Sequence, residues 1–224
     1  VTYGLIAANV LAWAFLQGFG TGPSLSGSLC QLGLTPGELL QLASPGTQVP
    51  IAEGVVCIVT DMPSWLTPLT SMFMHGGWMH LIGNMWFLWI FGNNVEDSMG
   101  HARFLAFYLL CGLTAGAVQT LADPTSIIPM VGASGAIGGV MGAYVVLYPR
   151  VHVHMLVFLG FFVTTVAVPA VFMLGYWFVL QLISGWLSNP AEGGVAFWAH
   201  VGGFIAGALL VLLFRNPRLL ARHP

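Results

Sequence analysis

The sequence contains very little charge. Asp, Glu, Lys and Arg together account for 5% of its 224 residues, lysine is absent, and 57% of the residues are hydrophobic. Soluble domains carry about 25% charged residues, so the few charges here cannot cover a water-exposed surface. This scarcity excludes a soluble enzyme, a secreted disulfide scaffold, a nucleic-acid-binding domain and a disordered segment. It predicts an integral membrane protein.

Cysteine is also scarce, and the three cysteines have no metal-ligand spacing. His152 and His154 stand one residue apart, but two ligands do not make a metal site. We therefore expect neither a bound metal nor a nucleic-acid partner. Cys30 and Cys57 lie in the same predicted outer loop, where they either form a disulfide in an oxidising compartment or stay as free thiols.

Six segments have the apolar length that a membrane-crossing helix needs, about 20 residues. The sequence thus predicts an all-α membrane protein with a six-helix bundle and a long first outer loop, residues 21–76. That loop contains six prolines and is too long for a simple connection, so we expect it to be partly membrane-associated. Residues 151–167 are apolar and β-branched, which favours a short irregular segment or hairpin at the interface. The six segments are approximately 3–20, 77–96, 102–121, 133–149, 168–186 and 195–214.

The arginines indicate the orientation. If the N-terminus is cytoplasmic, all five lie in cytoplasmic connections or in the C-terminal tail, and none lies on the other side. An excess of arginine and lysine is typical of cytoplasmic loops. We expect both termini in the cytoplasm, with a bacterial plasma membrane as the default location. The five are Arg103, Arg150, Arg215, Arg218 and Arg222.

Four uncharged polar residues share one depth in the predicted bundle. Ser134, His200, Asn84 and His80 each lie 13 to 17 residues from a charged residue at the inner end of their segment. At the helical rise per residue, this places all four about 20–26 Å above the cytoplasmic edge. A serine needs a base, usually histidine, to take its proton, and an oxyanion needs nearby donors. These are the parts of a serine hydrolase.

The neighbouring residues support this interpretation. Small residues flank Ser134 on both sides, in Gly132-Ala133-Ser134-Gly135, and the chain is expected to enter its helix there, with free N–H groups beside the hydroxyl. Glycine ridges on the fourth and sixth segments predict that these two helices pack closely. No carboxylate lies within a helical turn of the four polar residues, so the sequence predicts a Ser–His dyad.

Each of these features also has a structural explanation. Glycine ridges in membrane helices commonly serve packing, and a lone serine commonly bonds to carbonyls of its own helix. A lone histidine or asparagine often bridges helices. The four residues at one depth favour catalysis over these explanations. His75, in the turn before the second segment, is interpreted as structural.

Three motifs in this order resemble those of the rhomboid intramembrane serine proteases. They are His75-x4-His80-x3-Asn84, Gly132-x-Ser134-Gly135 and Ala199-His200-x-Gly202-Gly203. The resemblance covers essentially the whole chain and implies a single rhomboid domain, residues 1–224. It implies that Ser134 is the nucleophile, that His200 is the general base, and that the Ser134 N–H, His80 and Asn84 form the oxyanion hole.

The resemblance also implies the reaction and its partners. The reaction is hydrolysis of a peptide bond in or next to a transmembrane helix of a substrate protein, without a cofactor. Water has to reach the serine from the outer face, through a cavity bordered by residues 123–131 and 188–196. The fifth segment is the expected gate for a substrate helix. A second hypothesis is a catalytically silent relative that binds and escorts transmembrane helices.

The sequence departs from the family pattern in two places. Some members have a tyrosine four residues after the nucleophile, stacked under the catalytic histidine, and here that residue is Gly138. What holds the His200 ring is therefore an open question. The Trp-Arg pair of the first loop is also absent. Glu96, Gly100 and Arg103 resemble a cytoplasmic structural motif of the family, with an ion pair as one interpretation.

Overall fold

The computed structural model describes residues 1–52, 55–62, 65–160, 162–189 and 194–220. Each of the six predicted apolar segments contains a helix. The first helix, α1, continues into a π-helical turn at Ala12–Leu16. The helices are α1 Thr2–Leu11, α2 Gly22–Leu32, α3 Pro36–Leu39, α4 Thr67–Thr70, α5 Trp78–Met99, α6 His101–Ala122, α7 Ser134–Leu147, α8 Ala170–Leu187, α9 Phe197–Phe214 and α10 Pro217–Leu220, and the strands are β1 Gln48–Ala52, β2 Val55–Ile58, β3 His152–Leu159 and β4 Phe162–Pro169.

Three helices in the described ranges are long and apolar enough to cross a membrane, namely α6, α8 and α9. The stretch Thr2–Leu16 and helix α7 are apolar but shorter. Helix α5 has 22 residues, but its polar residues keep it out of this set. Length and composition therefore support a membrane protein without reproducing the predicted count of six spans.

Helix α7 lies at the centre of the bundle, and ten of its fourteen residues are buried. Its glycines let α9 approach until the two backbones touch. A Cβ at Gly203 would lie 2.0 Å from Gly135 O, and one at Gly207 would lie 1.9 Å from Gly139 O. Such distances leave no room for any side chain. The predicted close packing of the fourth and sixth segments is therefore confirmed.

One end of the bundle is closed by hydrogen bonds between helix ends. The Tyr148 hydroxyl, just after α7, donates to Asn94 O of α5 at 3.1 Å. The Asn216 N–H, just after α9, donates to Ser98 O of α5 at 2.8 Å. We call this the basal end, and the opposite end, on which the described parts of residues 21–76 pack, the loop end.

Glu96 also lies at the basal end, but its partners differ from the interpretation drawn from the sequence. Its carboxylate accepts hydrogen bonds from the N–H and the hydroxyl of Thr2, both at 2.7 Å, and contacts the His101 ring. Among the described residues, no ion pair joins it to Arg103. The carboxylate therefore caps the first turn of α1, where N–H groups have no helical partner.

Two cross-links hold the loop end together, one between the end of the first helix and the loop and one within the loop. The Gln17 side chain pairs with the backbone of His75, donating to its O and accepting from its N–H, both at 2.8 Å. Cys30 of α2 forms a disulfide with Cys57 of β2, which answers the question that the sequence leaves open. The long loop is thus a folded layer.

Strands β3, His152–Leu159, and β4, Phe162–Pro169, form an antiparallel hairpin. Strands β3 and β4 pair from His152 and Pro169 to Leu159 and Phe162, over eight positions. The prediction of a hairpin is confirmed, although the hairpin is longer than a short interfacial segment. Most of its described apolar side chains are exposed.

We expect Gly207→Ala to destabilise the fold, because the added methyl would overlap the α7 backbone. Overpacking of this kind costs about 1–3 kcal/mol or more, which thermal unfolding in detergent measures. The matched control is Gly175→Ala on α8, where a Cβ meets nothing within 4 Å and alanine favours the helix. Equal melting temperatures for the two variants would contradict the backbone contact.

Candidate active site

Ser134 and His200 lie in hydrogen-bonding contact at the loop end. The His200 Nε2 is 2.8 Å from the Ser134 Oγ. Ser134 is the first residue of α7 and His200 lies in the first turn of α9. A Cβ at Gly138 would lie 3.1 Å from His200 O, so the glycine contact between α7 and α9 brings the two side chains together.

The His200 ring is held from α8, by residues that the sequence analysis did not single out. Its Nδ1 lies 2.8 Å from Gln181 Oε1. The Trp177 ring lies beside it, with centroids 5.7 Å apart and planes inclined by 37°. Gln181 and Trp177 are spaced i, i+4 and therefore share a face of α8. They contact the histidine ring, as a tyrosine at the position of Gly138 does in some family members.

Gln181 carried a signal that the sequence analysis overlooked. It is the single amide side chain in Leu174–Ile183. The other residues of this run are apolar except for one tyrosine and one tryptophan. Buried amides in a membrane need a hydrogen-bond partner. Gln181 is therefore a further polar residue within the apolar segments, beside His80, Asn84, Ser134 and His200.

His80 borders the same space as Ser134. The Gly76 N–H donates to His80 Nδ1 at 3.3 Å, so in the neutral ring the proton is on Nε2. A Cβ at Gly132 would lie 2.7 Å from His80 Nε2 and 3.4 Å from Ser134 Oγ. Gly132 has φ +130°, which side chains rarely adopt. Glycine is therefore required between the two functional groups.

Asn84 and His75 are two buried polar residues near His80. Asn84 is buried one helical turn after His80, and its Nδ2 has no hydrogen-bond partner among the described residues. His75 is fully buried and packs edge-on against the His80 ring, with centroids 5.1 Å apart. Burial lowers the pKa of His75 to about 3, so this ring is neutral at physiological pH and supports His80 sterically.

A cavity of roughly 460 Å³ contains the Ser134 and His200 side chains together with His80. Its rim contains the two segments that the sequence predicts, 123–131 and 188–196, as far as the structure describes them; residues 190–193 lie outside the described ranges. The long loop supports the first segment, since Leu34 and Met130 exchange two backbone hydrogen bonds, at 2.9 and 2.8 Å. Other polar side chains in the lining are Gln119, Asp123, Ser126, Ser188 and Asn189.

A second cavity of roughly 30 Å³ lies beside Ser134. Its walls include Gly112, Ala115 and Gly116 of α6 and Ala199 of α9. These small side chains leave space for a small group next to the hydroxyl. Among the described residues, no group of three or more His, Cys, Asp or Glu could hold a metal ion.

A family model, the Rhomboid domain, matches residues 63–217. The chain belongs to the rhomboid family. It is similar to Rhomboid-like protein 11, chloroplastic, of Arabidopsis thaliana, with 31% identity over 68% of the chain and 54% of that protein. It is similar to Rhomboid protease GluP of Bacillus subtilis, with 36% identity over 66% of the chain and 26% of that protein.

A mitochondrial relative is Rhomboid protein 1 of Saccharomyces cerevisiae, with 29% identity over 65% of the chain and 41% of that protein. The chain thus spans between about a quarter and about half of the length of these three relatives. The matched region contains all seven residues that the sequence analysis selected for the site. They are His75, His80, Asn84, Gly132, Ser134, Gly135 and His200.

We expect Gly132→Ala to displace His80 or strain the chain before α7. A clash of this kind combined with a positive φ costs about 1–3 kcal/mol, measured by thermal unfolding. Gly77→Ala is the control, because its backbone is extended and its Cβ would meet nothing within 4 Å. If Gly132→Ala and Gly77→Ala have the same melting temperature, the close approach of His80 to Gly132 is wrong.

Proposed function

We propose that this rhomboid-family protein is an intramembrane serine endopeptidase that cleaves transmembrane proteins in or near the outer part of their membrane helix. The observation that carries the proposal is the 2.8 Å contact between His200 Nε2 and Ser134 Oγ inside a polar-lined cavity. A serine becomes a useful nucleophile when an adjacent base can take its proton. No cofactor is needed for this chemistry.

The reaction proceeds in two halves. The Ser134 Oγ attacks the scissile carbonyl carbon while His200 Nε2 accepts the hydroxyl proton. The tetrahedral intermediate then collapses, its C–N bond breaks, and His200 returns the proton to the departing amine, which leaves an acyl-enzyme. Water attacks the ester with His200 again as base, which releases the acid and restores Ser134. No carboxylate takes part, so the catalytic pair is a dyad.

The oxyanion is stabilised by donors on α5 and α7. The Ser134 N–H has no partner within its own helix because it is in the first turn of α7. The His80 Nε2–H borders the same space. The Asn84 Nδ2 has no partner among the described residues, so a developing oxyanion would satisfy it, and losing one such donor typically costs 10²–10³ in rate. In this proposal Gly132 and Gly135 shape the substrate and helix contacts, and His75 supports His80.

We propose six spans within one domain, residues 1–224, with both termini in the cytoplasm. Fourteen residues of α7 extend about 21 Å, short of the roughly 30 Å of hydrocarbon. If its basal end is at the cytoplasmic surface, Ser134 lies below the outer surface, where water reaches it through the cavity.

Two observations support this orientation. Arg150 follows α7 and Arg215 follows α9 at the basal end, as expected for a cytoplasmic side. The Cys30–Cys57 disulfide lies at the loop end, as expected for an oxidising outer side. The proposed location is the plasma membrane of a bacterium.

The substrate has to present an extended backbone, because a helix hides its carbonyls in its own hydrogen bonds. The small cavity beside Ser134 favours a small side chain next to the cleaved bond. Helix α8 is the proposed gate, because only 17% of its most apolar 18-residue stretch is buried, whereas 44% of the corresponding stretch is buried in α6 and in α9. The weakly packed helix is the one that a substrate can displace.

The test is cleavage of a single-span substrate reconstituted with the protein in liposomes. We expect cleavage by the wild type and a loss on the order of 10³-fold or more for Ser134→Ala and His200→Ala, as when a catalytic unit is removed. Ser26→Ala and His154→Ala, far from the cavity, are the matched controls. If the folded wild type binds the substrate helix without cutting it, the protein is instead a catalytically silent escort.

A further inference from the structure

We propose that Gln181 is a positioning residue for the general base, so that His200 is aligned only while α8 is packed against α9. This inference rests on the proposed function of Ser134 and His200. Nothing in the family motifs quoted above includes Gln181, which lies on α8, the helix that carries no part of the dyad or of the oxyanion hole.

The hydrogen bond fixes the tautomer of His200. The Gln181 Nε2 lies 3.4 Å from Trp177 O, so the amide turns its oxygen toward His200. An amide oxygen only accepts, so the His200 Nδ1 must carry the proton. The Nε2 of the neutral ring then has its lone pair directed at the Ser134 hydroxyl, which is the arrangement that a general base requires.

The same bond fixes the plane of the ring. Imidazole turns about its own side-chain bonds unless both nitrogens are held, and here Ser134 and Gln181 hold one nitrogen each, both at 2.8 Å. Trp177 limits the remaining rotation from the α8 side. Among the described residues, no Asp or Glu bonds to His200. The Gln181 amide therefore accepts the hydrogen bond from His200 Nδ1 that a carboxylate accepts in catalytic triads.

The location of Gln181 connects this alignment to α8. Three residues of this helix are buried, Ala170, Leu174 and Gly185, so its hold on the bundle is weak. A displacement of about 1 Å would lengthen a 2.8 Å hydrogen bond beyond useful range. A substrate helix that pushes α8 aside would therefore misalign His200, and chemistry would resume when α8 returns.

Three variants test the inference. Gln181→Met keeps the side-chain shape but removes the hydrogen-bond acceptor, whereas Gln181→Glu keeps the shape and an acceptor. Leu180→Met is a control for altered packing on α8. Two rates are measured for each, the reaction of Ser134 with a small fluorophosphonate and the cleavage of the liposome substrate. Melting temperatures establish that each variant is folded.

We expect Gln181→Met to lower both rates by about tenfold, which corresponds to 1.4 kcal/mol and lies at the upper end of the range for a lost hydrogen bond. The cleavage loss should be in kcat with KM unchanged. Gln181→Glu should stay within a few-fold of the wild type, and Leu180→Met should match it.

Three outcomes would overturn the inference: wild-type rates in folded Gln181→Met, a Gln181→Glu variant as slow as Gln181→Met, or a loss confined to liposome cleavage. The last result would show that Gln181 serves gating or packing alone. In each case the wild type still reacts, so the proposed function stands. A wild type that reacts with neither probe would instead defeat the proposed function.

Discussion

The backbone contact between α7 and α9 is the constraint on which the site depends. With Gly203 and Gly207 of α9 against the carbonyls of Gly135 and Gly139, the helices approach more closely than any side chain would allow. Since van der Waals packing is a main source of helix association in lipid, this contact supplies cohesion as well as geometry. It brings the first turns of both helices together, and with them Ser134 and His200. The contact that holds the two helices together is therefore also the one that places His200 beside Ser134.

The groups proposed to carry out the chemistry are all neutral. The dyad, its proposed oxyanion donors and Gln181 are uncharged, which suits a membrane interior where an isolated charge is costly. Selective hydrogen bonding takes the place of charge: Gly76 holds the proton of His80 on Nε2, and Gln181 holds that of His200 on Nδ1. The two histidines therefore present different groups to the cavity: His80 Nε2–H is a donor, and His200 Nε2 is an acceptor. The folded layer at the loop end supports this arrangement through Gln17 and the Leu34–Met130 bridge.

The sequence predicted the helices and the central pair because apolar length, glycine spacing and depth are linear properties of a chain. Equal depth placed Ser134 beside His200, and the small residues around Ser134 indicated where α7 begins. The partner of Glu96 and the role of Gln181 could not be obtained in this way, because both depend on which helices become neighbours and how they are rotated. The disulfide between Cys30 and Cys57 likewise needed the fold of the loop. The length of the β3–β4 hairpin exceeded what β-branched composition alone indicates.

The most direct measurement of the central claim, an activated serine at position 134, is mass spectrometry of the detergent-solubilised protein after treatment with a fluorophosphonate. The account predicts one adduct on the wild type, located on Ser134, and no adduct on Ser134→Ala or His200→Ala under conditions where all three proteins are folded. An unmodified wild type, or an adduct that persists when Ser134 is replaced, would contradict it.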